Sequence, residues 1–154
     1  LYNRETIESQ IDNEITLSEA RKSEMAVLFI DVDDFKHYND QYSHATGDQV
    51  LKFVARTIKG AVNEFGFAGR YGGDEFIACV RNAEINDPTR VAQDIISKLD
   101  EGFECDGVHL TVSVSIGISM IKDDYNTRVE YIIGKADDAM YSVKKNGKSN
   151  YAFI

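Results

Sequence analysis

Apolar residues recur at helical spacing in several stretches of the chain. Ile7, Ile11 and Ile15 lie four residues apart and form one stripe, and Asn3 can cap the helix that carries them. Pro88 follows an aspartate, which is typical of a first helical turn. Helices are therefore predicted over residues 3–21, over 34–42, from about 47, from 87 and over 128–146.

Other stretches have the pattern of strands. Residues 25–32 are almost continuously apolar, which predicts a fully buried strand. Residues 65–71 and 76–80 flank two glycines, which predicts a β-hairpin. Residues 108–120 alternate apolar side chains with Thr, Ser and Gly, which predicts one long strand with one buried face. A closing edge strand is predicted over residues 149–153.

The predicted order of elements is α-β-α-α-β-β-α-β-α-β. This order favours an α+β domain with a mainly antiparallel central sheet flanked by helices. The chain has 154 residues, of which 43% are hydrophobic, and no low-complexity interruption. That length and composition predict a single domain over residues 1–154. Because the first residue is Leu1 rather than methionine, we expect a domain excised from a longer multidomain protein.

Charge and cysteine content limit the function classes. The formal net charge of −9 repels phosphate backbones, so nucleic acid is not an expected partner. No apolar run approaches the roughly 18 residues of a membrane span, so no membrane contact is expected. Cys79 and Cys105 could form one disulfide, but two buried thiols in a reducing compartment are favoured, and we expect a cytoplasmic location.

Acidic residues fall at two turns of the predicted sheet. Asp31 ends the first strand, and Asp74 and Glu75 lie at the hairpin tip. If these strands pair, three carboxylates converge, and a hard cation such as Mg²⁺ or Mn²⁺ would relieve their repulsion. The alternative is that Asp31, Asp33 and Asp34 cap the next helix and that the hairpin is only a favourable turn.

Four runs together resemble a known family. Residues 70–76 read Arg-Tyr-Gly-Gly-Asp-Glu-Phe, and the four runs at residues 29–36, 70–76, 111–117 and 136–141 occur in the matching order along the chain. These runs resemble the GGDEF domains of diguanylate cyclases over essentially the whole chain. The resemblance implies a fold like that of nucleotidyl cyclases and polymerase palm domains. It also implies condensation of two GTP molecules into cyclic di-GMP, with release of pyrophosphate, by an antiparallel dimer of domains.

The resemblance also implies roles for individual residues at the metal. Asp31 and Glu75 match metal ligands, and Val32 matches a ligand through its backbone carbonyl. Asp74 matches a residue that binds metal and activates the attacking 3′-hydroxyl. Lys36 matches a lysine that contacts phosphate and stabilises charge in the transition state. About two Mg²⁺ or Mn²⁺ ions per active site are expected, as in two-metal phosphoryl transfer.

The remaining matches concern GTP itself. Asn39 and Asp48 match a pair that reads guanine, and His44 matches the wall of the nucleotide pocket. Without the resemblance, these residues could equally belong to turns or helix caps, and the lysines could be solvated. The implied substrate-binding set is Lys36, Asn39, His44, Asp48, Gly72, Gly73, Lys144 and Lys148.

One departure from the family pattern concerns regulation, and alternative functions stay open. Residues 63–66 read Asn-Glu-Phe-Gly, where many family members have an Arg-x-x-Asp motif for product inhibition. We therefore predict that this inhibition is absent. A catalytically silent GTP-binding module is the alternative function, followed by a nucleotidyl transferase with another substrate. A phospho-receiver is disfavoured because the parallel β-α repeat is missing. The implied partners are GTP, a second copy of the domain and an upstream sensory or dimerisation domain.

Overall fold

The computed structural model describes residues 1–153 and contains one five-stranded sheet and one two-stranded sheet. Helices cover Arg4–Arg21 (α1), Phe35–Gln41 (α2), His44–Val62 (α3), Pro88–Glu101 (α4) and Val129–Lys145 (α5). Strands cover Met25–Val32 (β1), Gly66–Arg70 (β2), Glu75–Arg81 (β3), Phe103–Cys105 (β4), Val108–Leu110 (β5), Val114–Ile121 (β6) and Tyr151–Phe153 (β7).

The main sheet has the strand order β2-β3-β1-β6-β7. β1 is antiparallel to both β3 and β6, and only the short edge strand β7 runs parallel to its neighbour. The prediction of an α+β fold with a mainly antiparallel sheet is confirmed. The predicted closing edge strand is confirmed as well.

Helices cover both faces of the sheet, so the central strand is buried on both sides. Met25, Val27 and Phe29 pack in a core with α1 and α5. Ala26 and Leu28, on the opposite face of β1, pack in a second core with α3 and α4. The nearly continuous apolar run of this strand predicted this double burial correctly.

Helix α3 begins three residues earlier than the apolar pattern predicts. The pattern placed its start at about Gly47, but the helix begins at His44. Ser43 is the N-cap, and its hydroxyl accepts a hydrogen bond from the Thr46 backbone N–H at 3.1 Å. The first turn is exposed and polar, so apolar periodicity could not detect it.

The single long strand predicted over residues 108–120 is wrong. β5 ends at Leu110 and pairs with β4 in a separate hairpin, whereas β6 begins at Val114 in the main sheet. Between them, the Val112 N–H donates to the Leu99 carbonyl at 2.9 Å, and the Ser113 carbonyl accepts from the Asp33 N–H at 2.8 Å. The bond to Leu99 of α4 separates β5 from β6, whereas the bond between Ser113 and Asp33 continues the register of β6 with β1.

The β4–β5 hairpin has a local signal that periodicity overlooks. Its turn contains Asp106 and Gly107, both with positive φ, at 51° and 80°. Asp-Gly is a preferred pair for tight hairpin turns because both central residues must adopt this conformation.

β6 does not have the single buried face that its alternation predicts. Ser115 and Ser119 are buried along with the apolar positions between them. At Gly117, an added Cβ would overlap the Ala136 carbonyl oxygen and the Met140 backbone nitrogen of α5. The small residues of β6 therefore allow a close helix–sheet approach and do not mark a solvent face.

The cysteines agree with the prediction of two buried thiols. Cys79 and Cys105 are both free thiols and both buried. Within residues 1–153, no helix is long and apolar enough to cross a membrane.

Candidate active site

The three predicted carboxylates lie at one end of the sheet: Asp31 and Glu75 on adjacent strands, and Asp74 in the turn just before β3. Asp31 in β1 stands directly opposite Glu75 in β3. The Val32 N–H donates to the Asp74 backbone carbonyl at 3.1 Å, which fixes the hairpin tip beside the end of β1. The predicted pairing of these two segments is therefore present in the structure.

Asp31 is a partly buried carboxylate with an unused oxygen. Lys144 Nζ lies 3.4 Å from its Oδ2. Its Oδ1 is buried and has no hydrogen-bond partner among residues 1–153. Burial raises the pKa of Asp31 to about 6; the carboxylates of Asp74 and Glu75 contribute to the rise, and Lys144 opposes it. The unpaired Oδ1 of Asp31 is therefore suited to binding a cation.

Glu75 lies in the same negative field. Burial raises the pKa of Glu75, and the nearby Asp137 and Asp74 raise it further. Asp137 belongs to α5 and was not predicted as a site residue; burial and then Asp138 raise its own pKa.

The donor chemistry fits a hard divalent cation, although the ligands are not preassembled. Among residues 1–153, no group of three or more His, Cys, Asp or Glu side chains already has the arrangement of a metal site. The unpaired Oδ1 of Asp31 and the mutual repulsion of the carboxylates nevertheless favour binding of a hard cation with oxygen ligands, such as Mg²⁺ or Mn²⁺.

The hairpin tip is held by an arginine that sequence reasoning did not select. Arg70 Nη2 donates to the Gly73 carbonyl at 2.6 Å, and its Nε lies 3.2 Å from the carbonyl oxygens of both Gly72 and Gly73. Neither glycine has positive φ. At Gly72, an added Cβ would collide with Glu75 Oε1, so its lack of a side chain leaves room for that carboxylate.

Helix α1 supports the hairpin from the other side. The Arg4 guanidinium lies 4.1 Å from the centre of the Tyr71 ring, and the Tyr71 hydroxyl donates to Glu8 Oε1 at 2.9 Å. The Arg4 and Glu8 spacing of four residues is a local signal for a helical ion pair. No local sequence pattern indicates that Arg4 and Glu8 also contact Tyr71.

Two lysines beside the site are paired with consecutive aspartates. Lys144 Nζ lies 3.1 Å from Asp33 Oδ1, and Lys148 Nζ lies 2.9 Å and 3.1 Å from the two oxygens of Asp34. Burial lowers the pKa of Lys144, but the carboxylates of Asp31 and Asp33 outweigh that effect and raise it. The solvated-lysine alternative is thus wrong for Lys144.

The helix-cap alternative for the aspartates is also wrong. Asp34 is the N-cap residue of α2, but its side chain makes no capping hydrogen bond. The Asp33 side chain is bonded to β6 and to residues near the chain's end. Asp31 is bonded to Lys144.

The predicted guanine-binding residues lie on two neighbouring helices. Asn39 of α2 packs against Gly47 of α3, where an added Cβ would lie 2.9 Å from Asn39 Cγ. Asp48 is the next residue of α3; it is exposed and lines a groove of about 360 Å³ together with Arg70 and Phe76. Both residues lie within helices, so neither is a turn or cap residue.

Lys36 and His44 are less constrained. Lys36 lies in the first turn of α2 and His44 is the first residue of α3, and both are exposed. Their side chains make no hydrogen bond or ion pair with another of residues 1–153. The role of Lys36 at the phosphates and the place of His44 in the wall of the nucleotide pocket therefore remain predictions.

Comparison with known proteins defines the class to which this site belongs. The family model described as diguanylate cyclase, GGDEF domain, matches residues 1–150. The solved GGDEF domain of YfiN from Pseudomonas aeruginosa is 32% identical, with a TM-score of 0.92 over 100% of this chain and 96% of that chain. The chain belongs to the GGDEF domain family.

Two longer relatives are also similar. Diguanylate cyclase A of Treponema denticola is 38% identical over 136 residues, which are 88% of this chain and 36% of that protein. The bifunctional diguanylate cyclase/cyclic di-GMP phosphodiesterase MucR of Pseudomonas aeruginosa is 33% identical over 154 residues, 100% of this chain and 22% of that protein. The chain thus spans little more than a third of the first relative and less than a quarter of the second.

Proposed function

We propose that the chain is an active diguanylate cyclase that condenses two GTP molecules into cyclic di-GMP and pyrophosphate. The observation that supports this best is the pairing of Asp31 with Glu75, which leaves a buried Asp31 oxygen without a partner. A silent domain has no need to keep such an oxygen desolvated, because a buried carboxylate oxygen without a hydrogen bond destabilises the fold even when the other oxygen is paired with Lys144.

The metal would be held by the Asp31, Asp74 and Glu75 carboxylates and the Val32 carbonyl. When bound, Mg²⁺ or Mn²⁺ supplies positive charge that favours binding of the triphosphate and ionisation of a hydroxyl. Asp74 accepts the proton of the attacking 3′-hydroxyl, since an alcohol is a weak nucleophile at neutral pH.

The substrate would be held by cations and by a guanine-reading pair. Lys36, Lys144 and Lys148 offset the triphosphate charge in a domain whose net charge is −9. Asn39 and Asp48 pair with the guanine edge, which discriminates against adenine because adenine lacks the matching donors. Gly72 and Gly73 let the backbone approach the nucleotide, and His44 closes the pocket.

Two domains are needed for a complete reaction. One pocket presents one 3′-hydroxyl and one α-phosphate, which point in different directions, whereas the product contains two new phosphodiester bonds. An antiparallel pair places each hydroxyl near the other's phosphate, about 3–3.5 Å away in a reactive pose. Since both curated relatives are much longer, we propose that further domains of the full protein control this pairing.

Product analysis tests the proposal. The chain is incubated with GTP and Mg²⁺, and the nucleotides are separated by chromatography; cyclic di-GMP and pyrophosphate are expected. Asp74→Asn and Glu75→Gln should each lower the rate at least ~10²-fold, as loss of one transition-state group does. Glu104→Gln, an exposed change in the β4–β5 hairpin, is the matched control.

Failure would separate the candidate functions. Intact GTP, also after fusion to a dimeric coiled coil, would reject the cyclase. GTP binding in calorimetry would then identify a silent sensor module. Wild-type turnover in both carboxylate variants would reject the metal-site assignment.

A further inference from the structure

Asp33 is a buried carboxylate whose oxygens are fully used. Its side chain is only 3% exposed. Oδ2 accepts from the Ser113 hydroxyl at 2.5 Å and the Ser149 N–H at 3.1 Å, and Oδ1 accepts from the Ser115 hydroxyl at 2.7 Å and Lys144 Nζ at 3.1 Å. Such complete satisfaction on both oxygens fixes the carboxylate in one orientation.

These bonds join three parts of the fold at the edge of the site. Asp33 follows β1, the two serines lie at the start of β6, and Ser149 lies in the segment after α5. Lys144 is the only charged donor in the set, and it is also 3.4 Å from Asp31, a predicted metal ligand. The Asp33 carboxylate therefore decides where the Lys144 ammonium lies relative to Asp31.

We propose that Asp33 is a positioning residue that holds Lys144 Nζ beside Asp31, ready to contact the triphosphate of GTP. The inference rests on the proposed function and assigns to Asp33 a part in substrate binding that acts through Lys144. Asp33 itself contacts neither metal nor substrate, because both of its oxygens already accept two hydrogen bonds.

Comparison with the Asp34–Lys148 ion pair shows how burial of Asp33 restrains Lys144. Asp34 and Lys148 also form an ion pair, but their side chains are 69% and 39% exposed. An exposed pair contributes little and exchanges readily with solvent. Lys144 is 21% exposed and has carboxylates on two sides, so it remains in place before GTP arrives. A preoriented cation loses less conformational entropy on binding phosphate than a free lysine does.

A double-mutant cycle on nucleotide binding tests the inference. Asp33→Asn, Lys144→Met and the double variant are titrated by calorimetry with a non-hydrolysable GTP analogue in the presence of Mg²⁺. Asp33→Asn should weaken binding about 10-fold, the typical effect of losing a hydrogen bond to a charged group. In the Lys144→Met background the same change should have less than about a twofold effect, because the coupled partner is gone.

Two further measurements separate positioning from a structural role. Guanosine, which lacks phosphate, should bind Asp33→Asn and the wild-type chain equally. In turnover, Asp33→Asn should raise KM more than it lowers kcat. Asp87→Asn, at the N-cap of α4, is the matched control and should bind the GTP analogue like wild type because Asn is also a good cap.

Each outcome supports or overturns the positioning role of Asp33. An equal loss in the wild-type and Lys144→Met backgrounds, no loss, or weaker guanosine binding would overturn the positioning role. If Asp33→Asn does not fold, Ser115→Ala removes one anchor of the same oxygen, and its smaller loss should likewise vanish with Lys144→Met. A wild-type chain that binds the analogue but makes no cyclic di-GMP overturns the proposed cyclase activity and leaves this inference standing. A wild-type chain that binds neither the analogue nor inorganic tripolyphosphate overturns both.

Discussion

Replacing Gly117 by alanine should destabilise the fold because it inserts one methyl group where β6 and α5 are in backbone contact. The new Cβ would overlap the Ala136 carbonyl oxygen and the Met140 backbone nitrogen, and it would lie 3.0 Å from the Ala136 carbonyl carbon. These atoms belong to the main chain of α5, so no side-chain rotation can relieve the overlap. The helix must move away from the sheet.

The size of the effect follows from this geometry. Carbon atoms pack best about 3.5–4.0 Å apart, so α5 must retreat by roughly 1 Å. Overpacking of a well-filled core costs about 1–3 kcal/mol, and a main-chain obstacle places Gly117→Ala near the upper end. For a domain of this size, each kcal/mol lowers Tm by about 2–4 °C, so a fall of roughly 6–12 °C is expected.

The same helix provides the control. Gly134 also lies in α5, but an added Cβ there has no neighbour within 4 Å. Gly134→Ala should therefore raise the free energy of unfolding by about 0.5–1 kcal/mol, because alanine loses less backbone entropy in a helix than glycine. Thermal and urea unfolding, followed by circular dichroism, measure both variants against wild type.

Opposite signs for the two variants are the diagnostic result. A Gly117→Ala protein as stable as wild type would refute the argument that backbone contact requires glycine in β6. Equal destabilisation by both substitutions would instead show that overlap with the α5 backbone is not the cause of the effect at Gly117. Because α5 also carries Lys144, we expect Gly117→Ala to raise KM for GTP as well.

Three further predictions concern assembly, regulation and pH. The rate per chain should rise with protein concentration if two domains form the catalytic unit, and a flat specific activity over a wide dilution series would contradict this. Cyclic di-GMP should not bind at Asn63 and Gly66, which lack the charge and donors of an arginine fork. Calorimetry with the active site filled by a GTP analogue should therefore detect no binding of cyclic di-GMP with a dissociation constant at or below the micromolar range. The pKa of His109 is raised by hydrogen bonds to the Glu104 carboxylate and the Glu101 carbonyl. The resulting stabilisation is therefore present below the unfolded pKa of about 6.5 and is lost as pH rises through the folded pKa; it should be reduced in Glu104→Gln, which keeps the bond to the Glu101 carbonyl. Unfolding at several pH values and NMR titration of the imidazole measure the stabilisation and the pKa, and a pKa unchanged by the substitution would reject the pairing.

Local patterns in the sequence were sufficient for most of the elements. The cap at Asn3, the Asp87–Pro88 helix start and the apolar run of β1 each depend on residues within a few positions of one another. Such signals act through backbone conformation and one-sided burial, which are local properties. The positions of the carboxylates at two turns are also local signals, but their approach depends on the pairing of β1 with β3, which are distant in the sequence.

Periodicity failed where a residue's neighbour comes from elsewhere in the chain. Alternation along residues 108–120 predicted a solvent face, but α5 covers that face of β6 and Gly117 allows the contact. The same stretch is divided because the Val112 N–H in its middle donates to the Leu99 carbonyl of α4 and so belongs to neither strand ladder. Alternation reports the size and polarity of side chains and carries no information about which distant segment packs on them.

The sequence by itself determined the α+β class, the order of the elements apart from the β4–β5 hairpin, and the set of acidic and basic residues that resembles a GGDEF site. Only the tertiary structure decided how those charges pair: Lys144 and Asp33 are 111 residues apart in the chain but 3.1 Å apart in space. The reason is physical. A buried charge must find an opposite charge or hydrogen-bond donors in its surroundings, and those surroundings exist only after β1, β6 and α5 have packed together.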